Sequence, residues 1–223
     1  MSISATPTQI LAIYSGMAGF AYIETDQFRK AVPLLFVLPF LVLSALTLTL
    51  SMKSRQKFFT AASFFVSACA LYVFTLNRRE LALVCLMGSI SHILYVMSFL
   101  PHVRRVWMSL GVVLGVYLTA ILYHCFADLY VSIPTLVFAS SLLLCVASSS
   151  VLAAGSVWYY ESRGSHSVQA ASLRFLGMLA CLACNSVLIL NQFGARFDRS
   201  NYMLTILHYV SQGLLFLANE ETF

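Results

Sequence analysis

The sequence predicts an all-α fold, a polytopic membrane helix bundle of about eight transmembrane helices forming a single domain over residues 1–223. Composition is the first reason: 60% of the residues are hydrophobic, 9% are charged and the mean hydropathy is +0.87. A water-soluble domain carries about a quarter charged residues. The second reason is spacing, because charged clusters separate apolar runs, and about 20 apolar residues suffice for a helix to cross a bilayer.

Taken in order, the apolar runs give eight candidate spans. The first and last are short, and the sixth is long enough to be tilted or to end near Gly155. No loop between them is long enough for a soluble domain, so any chemistry has to occur inside the bundle or at its mouth. The spans are about 9–23, 32–51, 58–76, 81–100, 106–126, 131–157, 169–190 and 202–218.

The net charge of +5 arises from 13 Lys and Arg residues in short clusters between the spans. This pattern is typical of membrane loops, and no nucleic-acid motif accompanies it. The first residues lack the basic segment of a signal peptide. Orientation stays undetermined, because with eight spans six cationic residues fall on each side of the membrane and Arg174 lies near the start of span seven.

Small residues and cysteines lie within the spans. Gly111 and Gly115 form a G-x-x-x-G in span five, which favours close packing inside one monomer or, alternatively, a homodimer seam. Cys181 and Cys184 form a C-x-x-C without a second thiol pair, so we interpret them as small apolar residues. The sequence therefore predicts no metal and no cofactor.

Polar side chains at membrane depth collect in spans four, seven and eight. Such groups either hydrogen-bond between helices or line an internal cavity. Their concentration on three helices favours a cavity, suited to an amphiphile whose head group needs hydrogen bonds. They are Ser91, His92, Tyr95, Asn185, Ser186, Asn191, Gln192, His208 and Gln212.

The eight acidic residues all lie in loops, tails or span edges. They are Glu24, Asp26, Glu80, Asp128, Glu161, Asp198, Glu220 and Glu221. General acid or base catalysis deep in the bundle would therefore depend on His92 or His208. No G-x-S-x-G, H-E-x-x-H or P-loop occurs.

Four stretches resemble the lysoplasmalogenase (YhhN) family of multi-pass membrane enzymes. "KAVPLLFVLPFL" (30–41) is similar to an early Lys-x-x-Pro helix, and "FFVSACALYVF" (64–74) falls where the family has Gly-Asp. "SHILYVMSF" (91–99) is similar to the His-x-x-Tyr helix. "LGMLACLACNSVLILNQF" with "LHYVSQGLLFLA" resembles the C-terminal pair, Ser-Asp-x-x-x-Ala-Leu-Asn and Tyr-Tyr-x-x-Gln.

The resemblance implies an eight-span fold and hydrolysis of the vinyl-ether bond of lysoplasmalogens. The products are a fatty aldehyde and glycerophosphocholine or glycerophosphoethanolamine. Cleavage needs an acid that protonates the alkene carbon and an anion that stabilises the oxocarbenium ion. Two aspartates are thought to supply these in the family.

This chain departs from the pattern at both aspartates, which fall on Cys69 and Asn185. An amide donates and accepts hydrogen bonds, but it has no acidic proton and no charge. His92 and His208 are candidate replacements for the lost acid. The resemblance further implies substrate binding by Tyr95, Asn191, Tyr209 and Gln212, with His92 also matching the pattern.

Three hypotheses follow. The protein is a lysoplasmalogenase-type hydrolase with a rearranged site, a binding protein that holds a lysophospholipid or related amphiphile without cleaving it, or a structural or transport-like protein with a polar interior. The predicted partners are the lysophospholipid and the lipid bilayer, with no nucleic acid. Family habit suggests the endoplasmic reticulum as the membrane of residence.

Overall fold

The structure, a computed structural model, describes residues 6–30, 32–50, 52–161, 165–194 and 200–220. Its regular elements are all helical, with no strand among the described residues, which confirms the all-α fold. Two 3-10 turns, Arg78–Glu80 and Leu100–His102, flank the fourth helix. The α-helices are α1 Pro7–Glu24, α2 Pro33–Thr47, α3 Ser54–Leu76, α4 Leu81–Phe99, α5 Met108–Phe126, α6 Pro134–Glu161, α7 Ser165–Phe193 and α8 Ser200–Glu220.

Five of the described segments are long and apolar enough to cross a membrane, as expected of a multi-pass protein. They are Ser54–Leu76, Arg78–His102, Met108–Phe126, Pro134–Tyr160 and Val168–Phe193. The second helix is apolar but ends at Thr47, four residues before the predicted end of its span at 51, and has 15 residues. The eight helices match the eight predicted runs in order, whereas eight crossings remain a prediction.

Proline residues mark where helices begin. Pro7, Pro33 and Pro134 each occupy the first position of a helix, where the missing N–H costs nothing. The long sixth helix continues through Gly155 to Glu161, so it does not end at the glycine. A Cβ at Gly155 would lie 2.5 Å from Leu110 Cδ2. The glycine therefore serves close packing of α6 against α5.

Seven of the helices form a ring. Going round it, α1 contacts α2, α2 contacts α3, α3 contacts α4, α4 contacts α6, α6 contacts α7, α7 contacts α8, and α8 contacts α1. The fifth helix lies outside this ring against α6 and α7. The interior of the ring is therefore enclosed by helices from both halves of the chain.

At the end of the ring near the chain termini, the interior is filled. Tyr95, Phe99 and Phe216 are almost completely buried there, as is Arg174 at 2% exposure. The Arg174 guanidinium lies 4.9 Å from the Phe99 ring centroid and donates to the carbonyl of Ala218 at 3.3 Å. A buried cation inside a bundle is expected to have such partners.

The two glycines of span five lie on the outer helix. Gly111 approaches Leu152 of α6, with 3.8 Å from a built Cβ to its nearest side-chain atom, whereas Gly115 has no atom within 4 Å. The first glycine therefore contributes to packing inside one chain. A homodimer seam at Gly115 stays a prediction.

At the opposite end, a left-handed turn joins α1 to α2. Asp26, Gln27 and Phe28 have φ of 52°, 60° and 63°, and each such residue costs about 1–2 kcal/mol. Thr25 holds the turn, since its hydroxyl accepts from the Phe28 N–H at 3.1 Å and its carbonyl accepts from the Arg29 N–H at 3.0 Å. The Phe28 side chain is thereby directed into the bundle, where it is 6% exposed.

Candidate functional site

A cavity of about 160 Å³ lies inside the ring, bounded mainly by one face each of α3, α4, α7 and α8. Along each helix the lining residues recur every three or four positions, which is the spacing of one helix face. Phe36 of α2 and Leu143 of α6 also line it, as do Phe28, Arg29 and Arg78 from the connections between helices. The four helices contribute Ser67, Ala70, Leu71, Phe74 and Thr75; Val84, Gly88, Ser91 and His92; Cys181, Cys184, Asn185 and Leu188; and Asn201, Leu204, Thr205, His208 and Gln212.

Hydrogen bonds between helices organise the deep part of this cavity. Asn185 Nδ2 lies 3.0 Å from His92 Nε2, which joins α7 to α4. Ser67 Oγ lies 3.1 Å from His208 Nε2, which joins α3 to α8. Two imidazoles are thus held at one level of the bundle by neutral partners.

A third polar pair, Gln212 and Cys181, connects α8 to α7. Gln212 Nε2 donates to Cys181 Sγ at 3.8 Å, and Gln212 is only 4% exposed. Sulfur is a weak acceptor, so the amide retains hydrogen-bonding capacity for a ligand. The deep cavity therefore offers amide, hydroxyl and imidazole groups.

No carboxylate is found among the described residues that line the cavity. The wall can accept and donate hydrogen bonds, but it presents no anion that would stabilise an oxocarbenium ion. In the described ranges, no group of three His, Cys, Asp or Glu side chains comes together to hold a metal. The deep groups of the cavity, two imidazoles among them, therefore suit recognition of neutral polar groups.

The cavity reaches the surface at the end where α1–α2, α3–α4 and α7–α8 are connected. The lining residues Arg29, Arg78 and Asn201 are exposed there, whereas the deep residues are buried or half-buried. Apolar side chains, including Phe74 and Leu188, lie between the exposed mouth and the deep polar groups. The cavity is therefore amphipathic along its length.

Five of the polar residues named from the sequence lie in the cavity wall: Ser91, His92, Asn185, His208 and Gln212. Cys69 does not line it, contrary to its expected position beside them. On α3 the cavity face passes through Ser67 and Ala70, and at 100° per residue Cys69 points away from Ser67. Cys69 is half-buried among helices instead.

Tyr95, Tyr209 and Asn191 also lie outside the cavity lining. The Tyr95 hydroxyl donates to the carbonyl of Leu215 at 2.9 Å, and the Tyr209 hydroxyl donates to the carbonyl of Phe36 at 2.9 Å. These buried tyrosines connect α4 to α8 and α8 to α2. Asn191 is half-buried near the C-terminal end of α7.

Sequence reasoning missed several lining residues. Thr205 and Asn201 lie three and seven positions before His208, so the helical period extended from that histidine would have found both. Arg29 and Arg78 were counted only as loop charges, because nothing in the sequence places two separate span ends beside each other. Ser67 stands alone among apolar residues in the sequence, which gives no signal that it faces a cavity.

Comparison with known proteins agrees with the resemblance in the sequence. The family model described as YhhN family matches residues 29–219, which begins after α1 and includes all the lining residues of the cavity except Phe28. No curated protein and no solved structure gives a significant match to the chain. With a match over most of its length, on the stretches that build the cavity, the chain belongs to the YhhN family, the lysoplasmalogenase family.

Proposed function

We propose that this protein binds a single-chain amphiphile of the lysophospholipid class within the helix ring, without cleaving it. The observation that carries the proposal is a cavity that is polar at both levels, apolar between them, and free of carboxylates among its described lining residues. Such a wall recognises a glycerol backbone or head group by hydrogen bonds. Its described residues include no carboxylate to stabilise the oxocarbenium ion of vinyl-ether cleavage.

The cavity volume limits how much of the lipid is enclosed. An apolar cavity of roughly 150 Å³ holds one benzene-sized molecule, and this cavity measures about 160 Å³. It can take a part of about that size, such as the glycerol backbone of a lysophospholipid with the start of its chain. The remainder of the chain then lies in the bilayer. The endoplasmic reticulum, suggested by the resemblance alone, is the membrane in which we propose to look for it.

A binding assay together with a product assay tests the proposal. Full-length protein in an uncharged detergent is incubated with lysoplasmenylcholine and with its acyl counterpart, and bound lipid and released fatty aldehyde are measured. We expect saturable binding and no aldehyde. Asn185→Leu should weaken binding about tenfold, since one hydrogen bond to the ligand is lost and His92 loses its partner.

Ser149→Leu is the matched control, because Ser149 is exposed on α6 and its hydroxyl donates to the carbonyl of Cys145. Binding by this control should equal that of the unaltered protein. Absence of saturable binding in all three proteins would contradict the proposal. Equal loss in the control would show that the effect is not specific to the cavity.

A second candidate function is vinyl-ether hydrolysis with a histidine as the acid. It is favoured by one observation, the presence of both imidazoles in the cavity wall. Aldehyde release that is lost in His92→Ala or His208→Ala would support it in place of the binding function.

A further inference from the structure

Arg29 is held at the cavity mouth by the backbone that precedes it. The left-handed turn is fastened to Thr25, and Phe28 packs 5.5 Å from Phe36 and 5.7 Å from Tyr209, measured between ring centroids. Anchoring of Phe28 fixes where the next residue leaves the bundle. The Arg29 side chain is exposed and lines the cavity.

Arg78 is held at the same mouth from a different helix. It begins the 3-10 turn after α3, which Asn77 caps by accepting from the Arg79 N–H at 3.1 Å. The Arg78 guanidinium lies 5.7 Å from the ring centroid of Phe74, another lining residue. This contact keeps the exposed guanidinium group beside the cavity wall.

Neutral polar groups stand beside the two cations. Thr75 already donates its hydroxyl hydrogen to the carbonyl of Leu71, and Thr205 donates to that of Asn201, so both oxygens remain as acceptors. Asn201 presents an exposed amide. Glu24, Asp26 and Glu80 are near in sequence, yet none of them lines the cavity.

The distance between the mouth and the deep pairs can be estimated along two helices. From Ser67 to Thr75 on α3 is about 12 Å, and from His208 to Asn201 on α8 is about 10 Å, at 1.5 Å per residue. The arginine side chains extend from the mouth toward the deep pairs, so the distance that a ligand has to bridge is shorter than this. A glycerol backbone among the deep groups would therefore leave its terminal substituent near the guanidinium groups.

We propose that Arg29 and Arg78 form an anion subsite, selective for amphiphiles whose head group is a phosphate monoester over those with a zwitterionic phosphocholine. This rests on the proposed function. Two guanidinium groups bind a phosphate dianion by charge-assisted hydrogen bonds. The quaternary amine of a phosphocholine would lie close to the same two guanidinium groups, where like charges repel.

Three amphiphiles with the same acyl chain test the subsite: a monoacylglycerol, its phosphate monoester and its phosphocholine ester. Their affinities for the full-length protein are measured in an uncharged detergent. We expect the phosphate monoester to bind about tenfold more tightly than the phosphocholine ester, and to lose this advantage in high salt. Glycerol 3-phosphate, which has no acyl chain, should compete poorly.

The double variant Arg29→Gln with Arg78→Gln should bind the phosphate monoester no more tightly than the phosphocholine ester, and an unchanged unfolding temperature shows that it is folded. Arg79→Gln is the matched control, because Arg79 is exposed in the same 3-10 turn but does not line the cavity. It should behave as the unaltered protein does.

Several results would overturn the subsite. One is equal affinity for the two phospholipids, and another is a preference that survives the double variant. Equal competition by glycerol 3-phosphate would show a soluble phosphate site instead. If all three amphiphiles bind with equal affinity and Ala70→Phe, which fills the cavity, abolishes binding, the proposed function stands while the subsite fails. If no amphiphile binds, both fail.

Discussion

Asn185 places a neutral amide in the cavity wall, where it forms the hydrogen bond between α7 and His92 of α4. An amide and an imidazole at 3.0 Å pair one donor with one acceptor, whichever way the amide is turned. An aspartate at the same position would add a negative charge beside the imidazole. Exchange of this amide for a carboxylate would therefore place a charged group in a part of the wall that is now neutral.

The first prediction restores acids where the structure places the cavity wall. Ala70→Asp with Asn185→Asp should produce vinyl-ether hydrolysis at least about a hundredfold above background, since one positioned electrostatic group is worth 10²–10³ in rate. Aldehyde release from lysoplasmenylcholine is the measurement. An acid at this depth costs about 2.5–3.5 kcal/mol, so retained amphiphile binding has to confirm the fold.

Cys69→Asp with Asn185→Asp is its control, one residue away on α3 and outside the cavity lining. It should release little aldehyde. A control that is as active as the Ala70 pair would show that residue 69 does reach the substrate. If the variant with Ala70→Asp and Asn185→Asp binds lipid but releases no aldehyde, this cavity is not the place where the family's reaction occurs.

Among the helices, the close approach of α7 to α8 brings the deep polar groups together. Gly177 permits it, because a Cβ there would lie 2.7 Å from Leu215 Cδ2 and 3.2 Å from Leu214 Cβ. Four residues further along α7, Cys181 contacts Gln212 of α8. The carbonyl of Leu215, the residue opposite Gly177, accepts a hydrogen bond from the Tyr95 hydroxyl. The glycine therefore sets the spacing on which the inner cavity depends.

The second prediction concerns this spacing. Gly177→Ala should lower the free energy of unfolding by about 1–3 kcal/mol, since overpacking forces neighbouring atoms to shift. Gly115→Ala is the matched control, because nothing lies within 4 Å of its position. That substitution should leave stability unchanged or raise it by up to about 1 kcal/mol through helix propensity.

Denaturant or thermal unfolding in one detergent compares the two variants. Equal stability of both would mean that α7 and α8 are farther apart than described. A loss confined to Gly115→Ala would instead point to an interface on α5.

At the scale of the whole molecule, the open question is how many helices cross the bilayer. Single cysteines at exposed loop positions, labelled with a membrane-impermeant maleimide, distinguish the answers. With eight crossings, Asp26→Cys and Asp128→Cys react from one side, and Lys53→Cys and Arg105→Cys from the other. The native cysteines all lie within helices, so the unaltered protein is the blank.

If only α3 to α7 cross, Asp26→Cys and Lys53→Cys react from the same side, opposite to Asp128→Cys. That outcome would contradict the prediction of eight spans. It would also place the mouth of the cavity at a different level relative to the bilayer.

The sequence predicts where the helices lie more successfully than it predicts which side chains of different helices contact each other. Helix positions follow from apolar length and proline, so the eight runs were found with small errors at their ends. His92, Asn185, His208 and Gln212 could be recognised because each is polar in an apolar run. Tyr95 and Tyr209 have the same pattern, yet their hydroxyls bond backbone carbonyls of other helices. Which polar group faces a cavity depends on packing, which one sequence does not reveal.

Among the described residues, the interior is filled beyond Gln212 by Tyr95, Phe99 and Phe216, whereas the other end opens beside Arg29 and Arg78. An amphiphile bound as proposed would therefore enter from the leaflet that faces the arginines. Transfer of single-chain lipids between leaflets would change how much of the protein is occupied, even while the total amount in the membrane stays constant.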